Sequence, residues 1–359
     1  MEFGINFFPV VDPSRKSATA YFDESLELVE LADRLGYEHV QTVEHYGTPY
    51  GGYSPDPVTF LTAAAARTSR IRVCTGAIIA AFSHPVQVAG KLAMLDHLSH
   101  GRLDAGFGRG FLPDEFATFE VPMDSSRARF AAMVETVRRL WTEEDVVSES
   151  PFFRFGPITM LPRPFQNPHP PIFVASATSA ESCAAAGTAG HHLQVVPSVT
   201  SAEALREMIG AYRRAWAAAG HSGTPRIQIK YTVYVAADRT EALAAGAEHE
   251  RNYVSQMAEA VASWAGARSD QYPGYEKFVE KARTYDFDAA LRGNKVLAGT
   301  PDDVSAQLSA IRDDYGADLS VSLQFNPGTT TLAAAREAMT LFAREVAPVF
   351  RGELAGAAR

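Results

Sequence analysis

The chain has 359 residues, of which 46% are hydrophobic, and a formal charge of −9 at pH 7. That is enough apolar material for a sizeable core, which excludes a disordered chain, and the dispersed basic residues exclude a nucleic-acid partner, whose phosphates require clustered Lys and Arg. No apolar stretch approaches the ~18 residues that span a bilayer, so no membrane association is expected. The two cysteines, Cys74 and Cys183, form no secreted disulfide framework and suit a reducing cytoplasm.

In chain order, residues 3–8 (FGINFF) predict a first strand, and the acid and missing basic run around them do not fit a signal peptide. A helix follows over 20–35, with Leu26, Val29, Leu31, Ala32 and Leu35 at helical spacing and Gly36 as its C-cap. Residues 39–43 (HVQTV) predict a second strand, 57–68 an alanine-rich helix, and 71–79 (IRVCTGAII) a third, strongly β-branched strand. A helix over 86–98 leads to a fourth strand at 101–107, and 125–141 predicts a long helix capped by serine. The rhythm breaks from about 142 to 170, where the run LPRPFQNPHPP cannot be helical; a small hairpin and an extended approach are expected there. Strands at 172–175, 192–196, 227–236 and 319–323 complete the set, with helices at 180–189, 202–219, 240–265, 301–315 and 331–347 and a polar excursion near 266–298. Eight βα units with buried parallel strands predict an α/β fold, a (β/α)8 TIM barrel with excursions near 142–170 and 266–298, as one domain spanning 1–359.

In such a barrel the chemistry sits at the C-terminal ends of the strands. The second strand ends in Glu44-His45-Tyr46, and His45 is the histidine that a predicted strand end places beside an acid. It is the candidate for proton transfer, although a lone histidine is also commonly structural. The run Gly106-Phe107-Gly108-Arg109-Gly110 invites a dinucleotide reading, but Phe111 occupies the position where GxGxxG requires glycine. Glycines that let the backbone approach a ligand, with Arg109 presenting a guanidinium to an anion, fit better, and a tight turn with a surface arginine stays open. Ser176-Ala177-Thr178-Ser179 places hydroxyls and N–H groups at a helix start, as a phosphate site or simply as an N-cap. The aromatic residues Phe7, Phe8, Tyr46, Phe82 and Phe111 are candidates for a pocket lining or for ordinary core. The ten histidines form no HxH at the first strand and no HExxH, and GxSxG and P-loop patterns are absent, so no metal site is predicted.

The chain resembles the bacterial luciferase family nearly end to end. The resemblance is carried in order by LADRLGYEHVQTVEHY (31–46), RTSRIRVCTGAIIAAFSHPVQVA (67–89), LDHLSHGRLDAGFGRGFLPDEFATF (95–119), SRARF (126–130), PHPPIFVAS (168–176), AGTPDDV (298–304) and the closing stretch 326–350. It implies a flavin monooxygenase that takes FMN as FMNH2 from a separate NAD(P)H:flavin reductase, forms a flavin hydroperoxide with O2 and oxidises a small-molecule substrate. It also implies a homodimer. Residue by residue, it implies that His45 is the active-site histidine and that Gly76-Ala77 is joined by a non-proline cis peptide under the isoalloxazine ring. Gly108 stands where the luciferase subunit has a cysteine beside the flavin. Arg109 corresponds to the arginine that binds the flavin phosphate, with Thr178 and Ser179 approximately matching its partners and Ser176 beside them. The 266–298 excursion corresponds in place to a mobile lid, though its residues do not match. Two other readings stay open: a deazaflavin-dependent hydride transfer, and a non-catalytic flavin-binding protein or silent subunit.

Overall fold

A computed structural model describes residues 1–351; positions 352–359 of the predicted domain lie outside the described residues. Apolar residues at every second strand position pack outward onto helices, and the polar residues between them face inward. In the strand Leu319–Gln324, Leu319, Val321 and Leu323 belong to the main hydrophobic core, while Ser320 and Ser322 bond to His39 and Gln41 on another strand. This two-residue period closes a barrel of eight parallel strands: β1 (Glu2–Phe7), β2 (His39–Thr42), β3 (Arg72–Thr75), β4 (Leu103–Gly108), β5 (Ile172–Ser176), β6 (His192–Val195), β7 (Ile227–Val235) and β8 (Leu319–Gln324). Each pairs with the next, and β8 returns to β1 with Glu2 opposite Ser320.

The lumen is cross-tied by hydrogen bonds rather than filled by branched side chains alone. Gln41 on β2 donates to Gln228 on β7 at 3.3 Å; these strands are not neighbours, so the bond spans the interior. Gln194 on β6 donates to the same oxygen at 2.9 Å. A polar group buried this deep requires such a partner; Gln228 Oε1 supplies it to both donors, while Gln194 Oε1 and Gln228 Nε2 are left without one among the described residues. Below them Asp104 is fully buried and meets Arg72 at 2.6 Å and Arg226 at 2.9 Å. Burial opposes its ionisation, but the two guanidiniums outweigh that and hold its carboxyl down at about 2.

The helices form where their boundary residues allow. Helix α1 (Ala18–Leu35) stops at Gly36, whose φ of 80° only glycine adopts freely. Helices α2 (Pro57–Arg67) and α3 (Pro85–Leu98) both open with proline at the first position. Helix α4 (Ser126–Thr142) departs from expectation: Ser125 makes no capping bond, because the 3-10 turn Met123–Ser125 feeds directly into the helix. Helices α5 (Ala180–Thr188), α6 (Ala202–Ala219), α7 (Arg239–Ala260), α8 (Pro301–Tyr315) and α9 (Leu332–Leu341) complete the outer ring.

Two corrections concern strands. The third strand does not run through 71–79; it breaks at a cis Gly76–Ala77 peptide and resumes as Ile78–Ile79, which pairs with the end of β4. The excursion near 266–298 is not simply polar. It carries the helices Phe278–Arg283 and Phe287–Arg292, buries Tyr272, Tyr275 and Phe278 with Trp264, and ends in the strand Leu297–Gly299 paired to β7. The hairpin expected in the 142–170 stretch forms between Val146–Glu149 and Arg154–Ile158. No helix among the described residues is long and apolar enough to cross a membrane.

Candidate active site

The C-terminal ends of the strands surround a cavity of about 680 Å³, the size range of small-ligand and cofactor pockets. His45, Gly76, Ala77, Gly108, Arg109, Ser176, Thr178 and Ser179 all line it. Of the aromatic candidates, Phe8 and Phe111 line it too. Phe7 does not: lumen-facing Asn6 precedes it on β1, so Phe7 turns outward onto Phe60. Tyr46 and Phe82 pack on Phe119 instead. The aromatic wall also takes in Tyr50, Phe130, Tyr231 and Tyr253, with Tyr272, Tyr275 and Phe278 supplied by the excursion after α7.

His45 lies three residues past the end of β2 and is 5% exposed. Its Nδ1 lies 2.9 Å from Oε1 of Glu115 on the short helix Pro113–Thr118, and that oxygen also accepts the Tyr46 N–H at 2.9 Å. A carboxylate only accepts, so the hydrogen is assigned to Nδ1, and in the neutral ring Nε2 carries the lone pair. The ring is held by Phe8, Tyr50 and Phe111 at centroid distances of 5.4, 5.6 and 5.8 Å. Gly51 presses close beneath it: a Cβ there would stand 2.7 Å from the imidazole, at a φ of +83°. The neighbouring Glu44 also lines the cavity, accepting from the Tyr46 hydroxyl at 2.6 Å and the Ile79 N–H at 3.0 Å. Burial pushes its carboxyl up to about 7.

The cis peptide forms part of the cavity wall. Any side chain at Gly76 would collide with Gln41, since a Cβ there meets the amide at 2.1 Å. The Gly76 carbonyl accepts a 2.6 Å hydrogen bond from Lys230 on β7. At Gly108 a Cβ would approach Ala77 to 3.4 Å, so glycine leaves room there without a deep void. Farther round, the Arg109 guanidinium lies 4.8 Å from the Tyr272 ring centroid and makes two long contacts of 3.4 Å to the Gln271 carbonyl. It forms no ion pair with an acid among the described residues. Arg127 reaches the same segment through the Gln271 side chain at 3.1 Å. Ser179 caps α5 by accepting the Ser182 N–H at 3.1 Å, which leaves its own hydroxyl hydrogen to donate.

A phosphate-bearing flavin fits these residues. Two guanidiniums, hydroxyls and a helix start suit a phosphate. Glycines and an alanine on one wall and aromatic rings on another suit a flat ring. Glu115, Lys230 and the excursion's tyrosines went unrecognised in the sequence. For Lys230 a signal existed, a lone charge in the apolar run IQIKYTVYVA; for Glu115 only its place in a short helix after β4. Among the described residues no group of three or more His, Cys, Asp or Glu is placed to hold a metal ion.

The family model described as luciferase-like monooxygenase matches residues 1–318. The crystal structure of monooxygenase RslO1 from Streptomyces bottropensis is 49% identical, superposes with a TM-score of 0.89 and covers 98% of this chain and 100% of that one. The oxygenase component of the flavin-dependent trigonelline monooxygenase of Acinetobacter baylyi is 32% identical over 229 residues, or 63% of each chain. The chain thus spans less than two thirds of that relative's length. The oxygenating constituent of 3,6-diketocamphane monooxygenase from Pseudomonas putida, solved with FMN, shares the fold at a TM-score of 0.78 and 21% identity over 97% of this chain and 98% of that one.

Proposed function

The chain belongs to the luciferase-like monooxygenase family, and on that premise we propose that it is the oxygenase of a two-component system that oxidises a small organic substrate. In this reading a separate NAD(P)H:flavin reductase delivers reduced FMN, and O2 is the co-substrate. We place the working protein in a reducing cytoplasm as a homodimer, a state that light scattering of the purified protein tests. The observation that carries the reading is one cavity lined both by Arg109, an arginine without an acidic partner among the described residues, and by a histidine pinned to a buried carboxylate, His45 with Glu115.

Arg109, Arg127 and the start of α5 would hold the FMN phosphate, and Gly76, Ala77 and Gly108 would offer its ring a flat wall. When bound, reduced FMN supplies the electrons that activate O2 for transfer of one oxygen atom. Thr178 and Ser179 complete the phosphate shell with hydroxyl donors, and Ser176 beside them holds the turn by donating to the Ser179 carbonyl at 3.3 Å. His45 exchanges a proton through Nε2 while Glu115 fixes its ring and steadies the imidazolium. The aromatic wall and the excursion near 266–298 exclude water from the cavity.

Anaerobic titration with reduced FMN and with reduced riboflavin tests this, followed by mixing with O2. Riboflavin binding at least about tenfold weaker is expected, since it lacks the charge-assisted phosphate bonds, and Arg109→Ala should shrink that difference, with Arg127 and the start of α5 keeping the rest. On mixing with O2, oxidised flavin should appear more slowly from the protein than from free solution, and His45→Ala should remove the delay. Preference for a deazaflavin over FMN, or oxidation as fast as in free solution, would sink the reading.

A further inference from the structure

Lys230 is the exception on its strand. The inward residues of β7 are Gln228, Lys230 and Thr232, and the first is spent tying the lumen to Gln41 and Gln194. Lys230 lines the cavity and makes one hydrogen bond among the described residues, from Nζ to the Gly76 carbonyl at 2.6 Å. Among the described residues no carboxylate pairs with it; the titratable neighbour acting in its favour is the Cys74 thiol, which burial pushes up to about 12 and so keeps neutral. Burial outweighs that contribution and pulls the ammonium down to about 8.

A neutral donor would hold the Gly76 carbonyl equally well. A lysine there is costly to desolvate, and the cost is recovered only when an anion enters. Reduced FMN brings a charge that oxidised FMN lacks. Two electrons and one proton added to the neutral isoalloxazine leave one negative charge on the ring, separate from the phosphate that Arg109 is suited to meet.

We propose that Lys230 is the ring-side cation of this site, pairing with the negative charge that the isoalloxazine acquires on reduction. The inference rests on the reading of the cavity as an FMN site. Its consequence is selectivity for cofactor state: the protein takes up reduced FMN in preference to the oxidised form and raises the reduction potential of bound flavin. Lys230 is thus a cofactor-binding residue that also anchors the cis-peptide wall.

The test is a pair of anaerobic binding titrations, with oxidised and with dithionite-reduced FMN, on the wild type, Lys230→Met and Lys230→Arg. Reduced FMN should bind the wild type about tenfold or more tighter than oxidised FMN, the worth of one charge-assisted hydrogen bond. Lys230→Met should erase most of that ratio while leaving oxidised FMN bound, and Lys230→Arg should keep it. Spectroelectrochemical titration gives the independent readout: for a two-electron couple, each tenfold lost should move the bound-flavin potential about 30 mV more negative. If Lys230→Met misfolds, Lys230→Gln supplies the same comparison. Normal FMN binding with an unchanged ratio in the charge-removing variant would overturn this inference alone. Failure of the folded wild type to bind FMN in either state would overturn the cofactor reading and this inference with it.

Discussion

Glu44 and Glu115 are both buried beside His45, and their partners separate their roles. Glu115 spends one oxygen on the imidazole and the Tyr46 N–H, while its other oxygen has no hydrogen-bond partner. Replacing it by Gln keeps the shape and removes the charge that the proposed mechanism uses to support His45. The turnover step that depends on His45 should slow on the order of tenfold to hundredfold, with the Kd for oxidised FMN within about twofold of wild type if positioning is the whole role. An equal loss in binding would assign Glu115 to the cofactor instead. Glu44 is the group whose ionisation burial resists, rising from 4.5 to about 7. A carboxyl whose folded value is raised stabilises the fold fully below its unfolded value and loses that contribution as pH rises through the folded one. Wild-type stability should therefore decline by about 3 kcal/mol relative to Glu44→Gln between pH 4.5 and above 7, read from denaturant midpoints at several pH values. Parallel profiles for the two proteins would refute it. Neither role was legible in the sequence, where Glu44 was only the acid beside a histidine and Glu115 one acid among many.

The β3–β4 junction shows why elements were easier to place than their ends. Regular pairing between these strands covers Val73 with Leu103 and Cys74 with Asp104. Beyond it, Thr75 takes over with its side chain, donating to the Gly106 carbonyl at 2.9 Å and accepting its N–H at 2.7 Å. The hydroxyl thus replaces a rung of the ladder just before the chain turns at Gly76. Thr75→Val is nearly isosteric but strands both backbone groups of Gly106 in a fully buried position, so about 2 kcal/mol or more of stability should be lost. Urea unfolding measures it, and a change below about 0.5 kcal/mol would mean the backbone re-pairs on its own. Long periodic elements such as α1 and α6 were readable because their apolar spacing and glycine stops are local signals. The uncapped start of α4 and the three-residue strand Leu297–Gly299 depend on what lies across from them, as does the break at the cis Gly76–Ala77 peptide, which only the family resemblance implies. No local pattern announces that.

At the scale of the whole barrel, Asp104 joins β4 to Arg72 at the start of β3 and to Arg226 just before β7, at the end away from the cavity. Removing one member of a buried ionic cluster leaves the others uncompensated, so Asp104→Asn should cost about 3–5 kcal/mol at neutral pH. The sign of its pH dependence is opposite to that of Glu44. A depressed carboxyl stabilises above its unfolded value and loses that contribution as pH falls through the folded one. The gap between wild type and Asp104→Asn should therefore narrow by about 2 kcal/mol as pH falls from 3.8 to below about 2, the rest remaining as lost hydrogen bonding. Surviving folded Asp104→Asn should bind FMN as the wild type does, because its defect lies in barrel closure; weakened cofactor binding would show that the two ends are coupled. What the sequence determined by itself was the alternation of strand and helix, hence the barrel, and the strand-end residues that share the cavity, because both follow from local periodicity and from the rule that strand ends converge. The tertiary structure alone decided which polar side chains cross the lumen, that Glu115 backs His45, and that Lys230 meets Gly76 across the barrel. Those partners are separated by 70 and 154 positions in the chain, and only closure of the sheet brings them within hydrogen-bonding distance.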